Sequence, residues 1–179
     1  MSVCAAIQMA SCPNVNSNLI AAERLIAAAV KEGAKLVALP ENFALMGNDE
    51  FDKIKHKEQQ GQGVIQQFLS NTAKKYAVWI VAGTLPIADP DNEQKVFAAC
   101  LVYNAEGEQV ARYDKMHLFD VKVPGSNEEY KESDSISKGD KPLVIETPFG
   151  KVGIAICYDL RFPEFFRSSL DQGVEIFII

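Results

Sequence analysis

The hydrophobic pattern of the chain alternates between short apolar runs and amphipathic stretches. Three short runs of aliphatic residues predict buried strands: residues 3–9, 35–39 and 78–82. Asn16 or Ser17 is predicted to cap an alanine-rich helix that ends at Gly33, and residues 63–76 predict a second amphipathic helix. This order of strand, helix and strand predicts parallel βα units and therefore an α/β fold.

The second half of the chain has the pattern of antiparallel hairpins. Residues 85–94 carry Pro, Asp and Asn and are predicted to form a turn. Two pairs of strands are predicted to follow: 96–103 with 108–113, and 143–147 with 151–156. The long polar stretch between the hairpins, residues 123–141, is predicted to be an ordered loop near a site. A helix is predicted over 163–172, before a last apolar run.

Three chemically useful side chains directly follow predicted strands. Glu41, Lys115 and Cys157 each come just after the end of a predicted strand, and α/β sheets place ligand groups beyond the carboxyl ends of their strands. Taken singly, each has a plain alternative: a solvated carboxylate, a surface ammonium and a packed thiol. Cys157 lies in a sharp turn before Pro163, so we expect a helix N-terminus to lower the pKa of the thiol.

Two neighbouring residues have alternative interpretations. His117 is a rival partner for Cys157 in a Cys–His pair, although the apolar residues around it favour a structural histidine. Arg161 is predicted to be a structural partner of an acidic neighbour rather than a catalyst.

Composition narrows the possible functions. The 179 residues predict a single domain, 1–179, and the net charge of −6 argues against partners such as nucleic acid or an anionic membrane surface. The N-terminal residues lack the basic region of a signal peptide, and no apolar run reaches the length of a membrane span. The four cysteines form no C-x-x-C pair and there are two histidines, so we expect no metal, no cofactor and a reducing, cytoplasmic compartment.

The last residues, 174–179, form an apolar strand pattern. A domain that stops inside such a strand leaves an exposed edge. We therefore expect the domain to be incomplete at its C-terminal end.

Four motifs resemble the nitrilase superfamily of carbon–nitrogen hydrolases, in particular its branch of omega-amidases and deaminated-glutathione amidases. They are LPENF (39–43), RYDKMHLFDV (112–121), YKES (130–133) and TPFGKVGIAICYDLRFPE (147–164). The resemblance implies an αββα sandwich, here truncated at the C-terminus, a triad of Glu41, Lys115 and Cys157, and a homodimer or higher homo-oligomer. It also implies that Glu132 is the additional glutamate that positions substrate and lysine; its alternative is a surface carboxylate. Asp114 stands where many relatives have Arg.

These residues together predict a thiol amidase for a small-molecule amide. Cys157 would attack the amide carbonyl, Glu41 would move the proton, and Lys115 with the backbone N–H of Tyr158 would stabilise the oxyanion. Glu41 needs a raised pKa for this role, so we expect a water-poor pocket. The alternative from another class is a truncated, inactive protein that acts only by interaction.

Overall fold

The computed structural model describes residues 3–179. The helices in this range are α1 (Val15–Lys31), α2 (Asp52–Lys55), α3 (Val64–Tyr76) and α4 (Pro163–Leu170). The strands are β1 (Val3–Ala6), β2 (Ala34–Ala38), β3 (Trp79–Val81), β4 (Leu85–Asp89), β5 (Asn92–Tyr103), β6 (Gln109–Asp114), β7 (Asp120–Lys122), β8 (Glu129–Lys131), β9 (Ile136–Ser137), β10 (Leu143–Thr147), β11 (Gly150–Ile154) and β12 (Ile176–Ile178). Two short 3₁₀ turns, Glu132–Asp134 and Cys157–Arg161, lie beside the candidate site.

The larger sheet is seven-stranded and mixed. Its order is β1-β2-β3-β5-β4, with β6 and β9 also paired to β5. The pairs β1–β2 and β2–β3 are parallel, as the βα pattern predicts, and β5 runs antiparallel to β3, β4 and β6. Strands β2, β3 and β6 therefore run in the same direction, so their C-terminal ends meet at one edge of the sheet.

The smaller sheet has the order β10-β11-β12. The predicted hairpin of β10 and β11 is confirmed, and β12 adds to β11 in parallel. Strand β11 is thus a central strand, which explains its continuous apolar run. Its C-terminal end leads directly to the 3₁₀ turn Cys157–Arg161.

The two sheets pack face to face and carry helices on their outer sides. Successive residues of β3 show this: Ile80 lies in the core with α1 and α3, whereas Val81 lies in a second core with Val152 and Ile154 of the smaller sheet. On the other side of the smaller sheet, Phe166 of α4 packs edge-on against Phe177, with 5.0 Å between ring centroids. The layers are therefore α, β, β and α, as expected.

Two local predictions were wrong. The cap of α1 is Asn14, whose Oδ1 accepts a hydrogen bond from the N–H of Ser17 at 2.9 Å; the asparagine two residues earlier reaches the first turn better than the predicted Asn16. Residues 85–89 form strand β4 rather than a turn. Pro86 is tolerated because, on the side away from β5, β4 bonds to the single residue Glu58, and there Pro86 contributes its carbonyl oxygen while Ala88 contributes the N–H.

Candidate active site

The strand ends bring Glu41, Lys115 and Glu132 into contact. The Nζ of Lys115 lies 3.0 Å from Oε1 of Glu41 and 2.9 Å from Oε2 of Glu132. The lysine side chain is only 2% exposed, whereas those of Glu41 and Glu132 are 30% and 14% exposed. An ammonium buried with two carboxylates is the core of the candidate site.

Cys157 lies beside this cluster. Glu41, Lys115, Glu132 and Cys157 all line one cavity of about 210 Å³, together with Lys53 and Tyr130. A larger cavity of about 500 Å³ shares Glu41 and Cys157, and its other walls are mostly apolar. The exposed thiol is therefore accessible to a small molecule from this rim.

Glu41 follows β2 and is positioned by contacts with the loop that follows β3. The next residue, Asn42, has a φ of 57° and donates its backbone N–H to the hydroxyl of Thr84 at 2.7 Å. Gly83 is required here, because a Cβ at this position would lie 1.9 Å from the carbonyl oxygen of Pro40. Close contact between these two strand ends therefore sets where the carboxylate lies.

Lys115 and Glu132 are held by their own backbone surroundings. The N–H of Lys115 donates to the carbonyl of Ala98 on β5, at 3.1 Å. Glu132 lies in a 3₁₀ turn after β8, and its Oε2 accepts the N–H of Phe119 at 2.7 Å. The long polar stretch is thus ordered and contributes a carboxylate to the cluster, as predicted, but the prediction of a loop was wrong in part because strands β8 and β9 form within it.

Cys157 has a backbone conformation that side chains rarely adopt. Its φ is 47°, in the left-handed region. The turn is braced by Asp159, whose Oδ2 accepts the N–H of Ile156 at 2.8 Å and whose N–H donates to the carbonyl of Ile156 at 3.0 Å. The sulfur thereby projects from the end of β11 toward the rim.

The backbone N–H of Tyr158 lies in the first turn after Cys157. N–H groups at this position of a helical turn have no partner within the turn, and none of the hydrogen bonds among residues 3–179 uses it. It is available to a ligand atom beside the sulfur.

The charges of the cluster act on one another. Burial alone would lower the pKa of Lys115, but Glu41 and Glu132 outweigh it and hold that pKa above its ordinary value. Burial raises the pKa of the Cys157 thiol, Glu41 raises it further, and Lys115 acts in the opposite direction. The expected lowering of this pKa was wrong, because burial and Glu41 outweigh Lys115, and α4 begins only at Pro163, too far along the chain to place its N-terminus at Cys157.

The water-poor pocket expected around Glu41 is not seen among the described residues, since its side chain is 30% exposed. The expected ion pair of Arg161 is also absent from residues 3–179. Its acidic neighbours are engaged elsewhere: Glu164 pairs with Arg167, and Asp159 is buried with other donors. Arg161 instead lines the larger cavity.

His117 is paired with Asp159 and not with Cys157. Its Nδ1 lies 2.6 Å from Oδ1 of Asp159, and its ring stacks on Phe162 with 3.7 Å between centroids. Asp159 is the residue that sequence reasoning missed. The signal for it was weak, since a carboxylate in a polar turn gives no indication that it will be buried.

The layered fold and the cluster of carboxylates, ammonium and thiol define an αββα protein with a candidate nucleophilic site. Residues 4–179 match the model of the carbon-nitrogen hydrolase family. The chain belongs to this family.

Relatives and solved structures agree with the family assignment. The deaminated glutathione amidase of Synechocystis is 40% identical over 177 residues, which are 98% of this chain and 64% of that protein. The omega-amidase NIT3 of Saccharomyces cerevisiae is 38% identical over 170 residues, 91% of this chain and 57% of that protein. The crystal structure of S. cerevisiae Nit3, a member of branch 10 of the nitrilase superfamily, superposes with a TM-score of 0.80 at 33% identity, covering 93% of this chain and 59% of that one. The chain thus spans between 57% and 64% of the length of these relatives.

Proposed function

We propose that this chain is a thiol-dependent amidase that hydrolyses a small-molecule amide to a carboxylate and ammonia. The observation that carries the proposal is the ammonium of Lys115, held between Glu41 and Glu132 in the cavity that Cys157 lines. Membership of the carbon-nitrogen hydrolase family supports the same chemistry.

The first half of the reaction releases the nitrogen of the amide as ammonia or as an amine. Glu41 takes the proton of the Cys157 thiol as the sulfur bonds to the amide carbon, which gives a tetrahedral oxyanion. Glu41 then gives its proton to the nitrogen, the C–N bond breaks, and a thioester forms together with ammonia from a primary amide or an amine from a secondary one. In the second half Glu41 deprotonates a water that attacks the thioester, and the C–S bond breaks to release the carboxylate and restore the thiol.

Lys115 stabilises the oxyanion together with the N–H of Tyr158. The two carboxylates keep the pKa of Lys115 raised, so the group stays cationic through neutral pH. Glu132 is assigned a positioning role, because its oxygens contact both the ammonium and the N–H of Phe119. Removal of one oxyanion donor typically lowers the rate by about 10²–10³.

The proposed substrates are the ω-amide of a 2-oxo acid and deaminated glutathione. Two relatives named for these activities, a deaminated glutathione amidase and an omega-amidase, motivate the choice. Both are small anionic molecules. The ω-amide is a primary amide and releases ammonia, whereas deaminated glutathione is a secondary amide and releases an amine. A cavity of about 500 Å³ beside Cys157 is available to hold them.

An ammonia-release assay over a series of ω-amides and a direct assay of deaminated glutathione hydrolysis test the proposal. We expect turnover with at least one of them, lost in Cys157→Ala and retained in Cys12→Ala, a matched change outside the site. Absence of turnover together with stable association to another protein would favour the alternative of an inactive interaction protein.

The setting of the enzyme is also a proposal. No helix of residues 3–179 is long and apolar enough to cross a membrane. The four cysteines are free, which supports a reducing, cytoplasmic compartment.

A homodimer or higher homo-oligomer is expected from the family resemblance, and light scattering on the purified chain tests it. The assignment of 1–179 to a single domain likewise stays a prediction, and its residues 1–2 lie outside the described range.

A further inference from the structure

Asp159 is a fully buried carboxylate that joins two distant segments of the site. It accepts hydrogen bonds from Ile156 N–H (2.8 Å), Tyr113 Oη (2.6 Å), His117 N–H (3.0 Å) and His117 Nδ1 (2.6 Å). The first donor belongs to the turn that carries Cys157. The others belong to the segment that carries Lys115, 42 to 46 residues away in sequence.

In the sequence, Lys115 lies between Tyr113 and His117, the two residues whose side chains bond to Asp159. Tyr113 precedes it by two residues and His117 follows it by two, and both side chains bond to the same carboxylate. The Tyr113 hydroxyl also accepts the N–H of Met116 at 3.2 Å. The backbone on both sides of Lys115 is therefore held to a residue two positions from Cys157.

The surroundings of the carboxylate make this contact stiff. Asp159 is 0% exposed and Tyr113 is 1% exposed. The His117 ring is covered by Phe162, stacked at 3.7 Å, and by Phe165, edge-on at 5.8 Å. Water cannot readily replace a lost donor here, and an unpaired buried group is costly, so the segments are not free to slide past one another.

We propose that Asp159 is a positioning residue that sets the spacing between the Lys115 ammonium and the Cys157 sulfur, with Tyr113 and His117 as its two arms. The inference rests on the proposed function, in which both groups act on one carbonyl. It also gives His117 a role that does not require contact with the thiol.

The distance between Lys115 and Cys157 can be tested through the pKa of the thiol, without a measurement of turnover. The positive charge of Lys115 lowers the pKa of Cys157 against the effects of burial, Glu41 and Glu132. If the lysine moves away, this pKa rises, and the pH midpoint for alkylation of Cys157 by iodoacetamide rises with it. Mass spectrometry of the Cys157 peptide measures the midpoint, and exposed Cys4 is an internal reference. Burial raises the pKa of Cys100 to about 12, so this thiol should not compete for the reagent.

Four variants of the full chain make the test. Lys115→Met sets the upper limit of the shift. Tyr113→Phe and Asp159→Asn are expected to raise the midpoint toward that limit and to lower kcat by about 10²-fold with little change in KM, the effect of a small misplacement. Tyr103→Phe is the matched control: this buried tyrosine on the neighbouring strand β5 makes no hydrogen bond through its hydroxyl among residues 3–179, and its midpoint should not move.

The outcomes separate the two proposals. If Lys115→Met raises the midpoint and Tyr113→Phe behaves like Tyr103→Phe, the positioning role of Asp159 is overturned while the proposed function stands. If Lys115→Met itself leaves the midpoint unchanged, the lysine does not act on the sulfur and the inference falls, whereas turnover by the parent chain decides the proposed function separately. Tyr113→Phe conserves volume and decides the question even where Asp159→Asn does not fold.

Discussion

The Nζ of Lys115 lies 3.0 Å from Oε1 of Glu41, although the two residues are 74 positions apart in sequence. The contact joins the end of β6 to the end of β2, which run in the same direction within one sheet. Glu132 approaches the same ammonium from the polar segment after β8. One buried cation thus organises two carboxylates that would otherwise repel each other beside the thiol.

Replacement of this cation should remove activity. We expect Lys115→Met to lower kcat by about 10²–10³, because the oxyanion loses its charged donor. Steady-state kinetics against ω-amides measures the loss. The surface variant Lys75→Met, which removes an exposed ion pair with Glu23, should stay within a few-fold of the parent; equal losses in both variants would contradict the assignment.

The carboxylates Glu41 and Glu132 should raise the pKa of the Cys157 thiol, and the ammonium of Lys115 should lower it. Glu41 raises the pKa of Cys157, so Glu41→Gln should lower it and move the alkylation midpoint to lower pH. The same variant should lose turnover, because the proton shuttle is gone. A thiol that becomes easier to ionise while catalysis disappears would be difficult to explain by misfolding. An unchanged or higher midpoint in Glu41→Gln would show that the carboxylate does not act on the sulfur.

The left-handed backbone at Cys157 predicts a reversed order of stability for small replacements. At a φ of 47° a Cβ is unfavourable, so Cys157→Gly should be more stable than Cys157→Ala by about 1 kcal/mol. At Cys4, in strand β1 and outside the positive-φ residues, Gly should instead be less stable than Ala by about 0.5–1 kcal/mol. Urea unfolding of the four variants gives both differences. The same order at the two positions would argue against strain at the nucleophile.

The sequence predicted the parts of the site that depend on strand ends. Glu41 and Cys157 each follow an apolar run and Lys115 follows the second strand of a hairpin pattern, and both kinds of pattern are visible without knowledge of the fold. Contacts made across the fold were not predictable in this way. Asp159 is a short polar residue in a turn, and only the packing of α4 and the Lys115 segment over it reveals that it is buried and bonded to Tyr113.

Local signals also failed where tertiary pairing decided the structure. Pro86 with nearby Asp and Asn residues has the composition of a turn, yet β4 forms because β5 is long enough to pair with it. The pKa of Cys157 was predicted from a helix N-terminus alone. In the structure, burial and the charge of Glu41 decide its direction, and neither is visible in a single stretch of sequence.

A buried carboxylate far from the site provides a last test of how polar contacts hold this fold. Glu58 is 8% exposed and lies at the N-terminus of α3, where Oε1 accepts the N–H of Ile65 at 2.6 Å and Oε2 accepts the N–H of Gln66 at 3.1 Å. Gly63 is needed beside it, because a Cβ there would lie 2.1 Å from the carboxyl carbon.

Glu58→Gln should therefore destabilise the fold by about 1–3 kcal/mol, because one oxygen is replaced by an amide that points hydrogens at a backbone donor. The favourable charge at the N-terminus of α3 is lost as well. Urea unfolding measures the difference, with Glu106→Gln as the matched exposed control, which should change stability by less than about 0.5 kcal/mol. Equal stability of the two variants would show that α3 does not depend on this cap. A loss confined to Glu58→Gln would show that the carboxylate satisfies N–H groups which no water reaches.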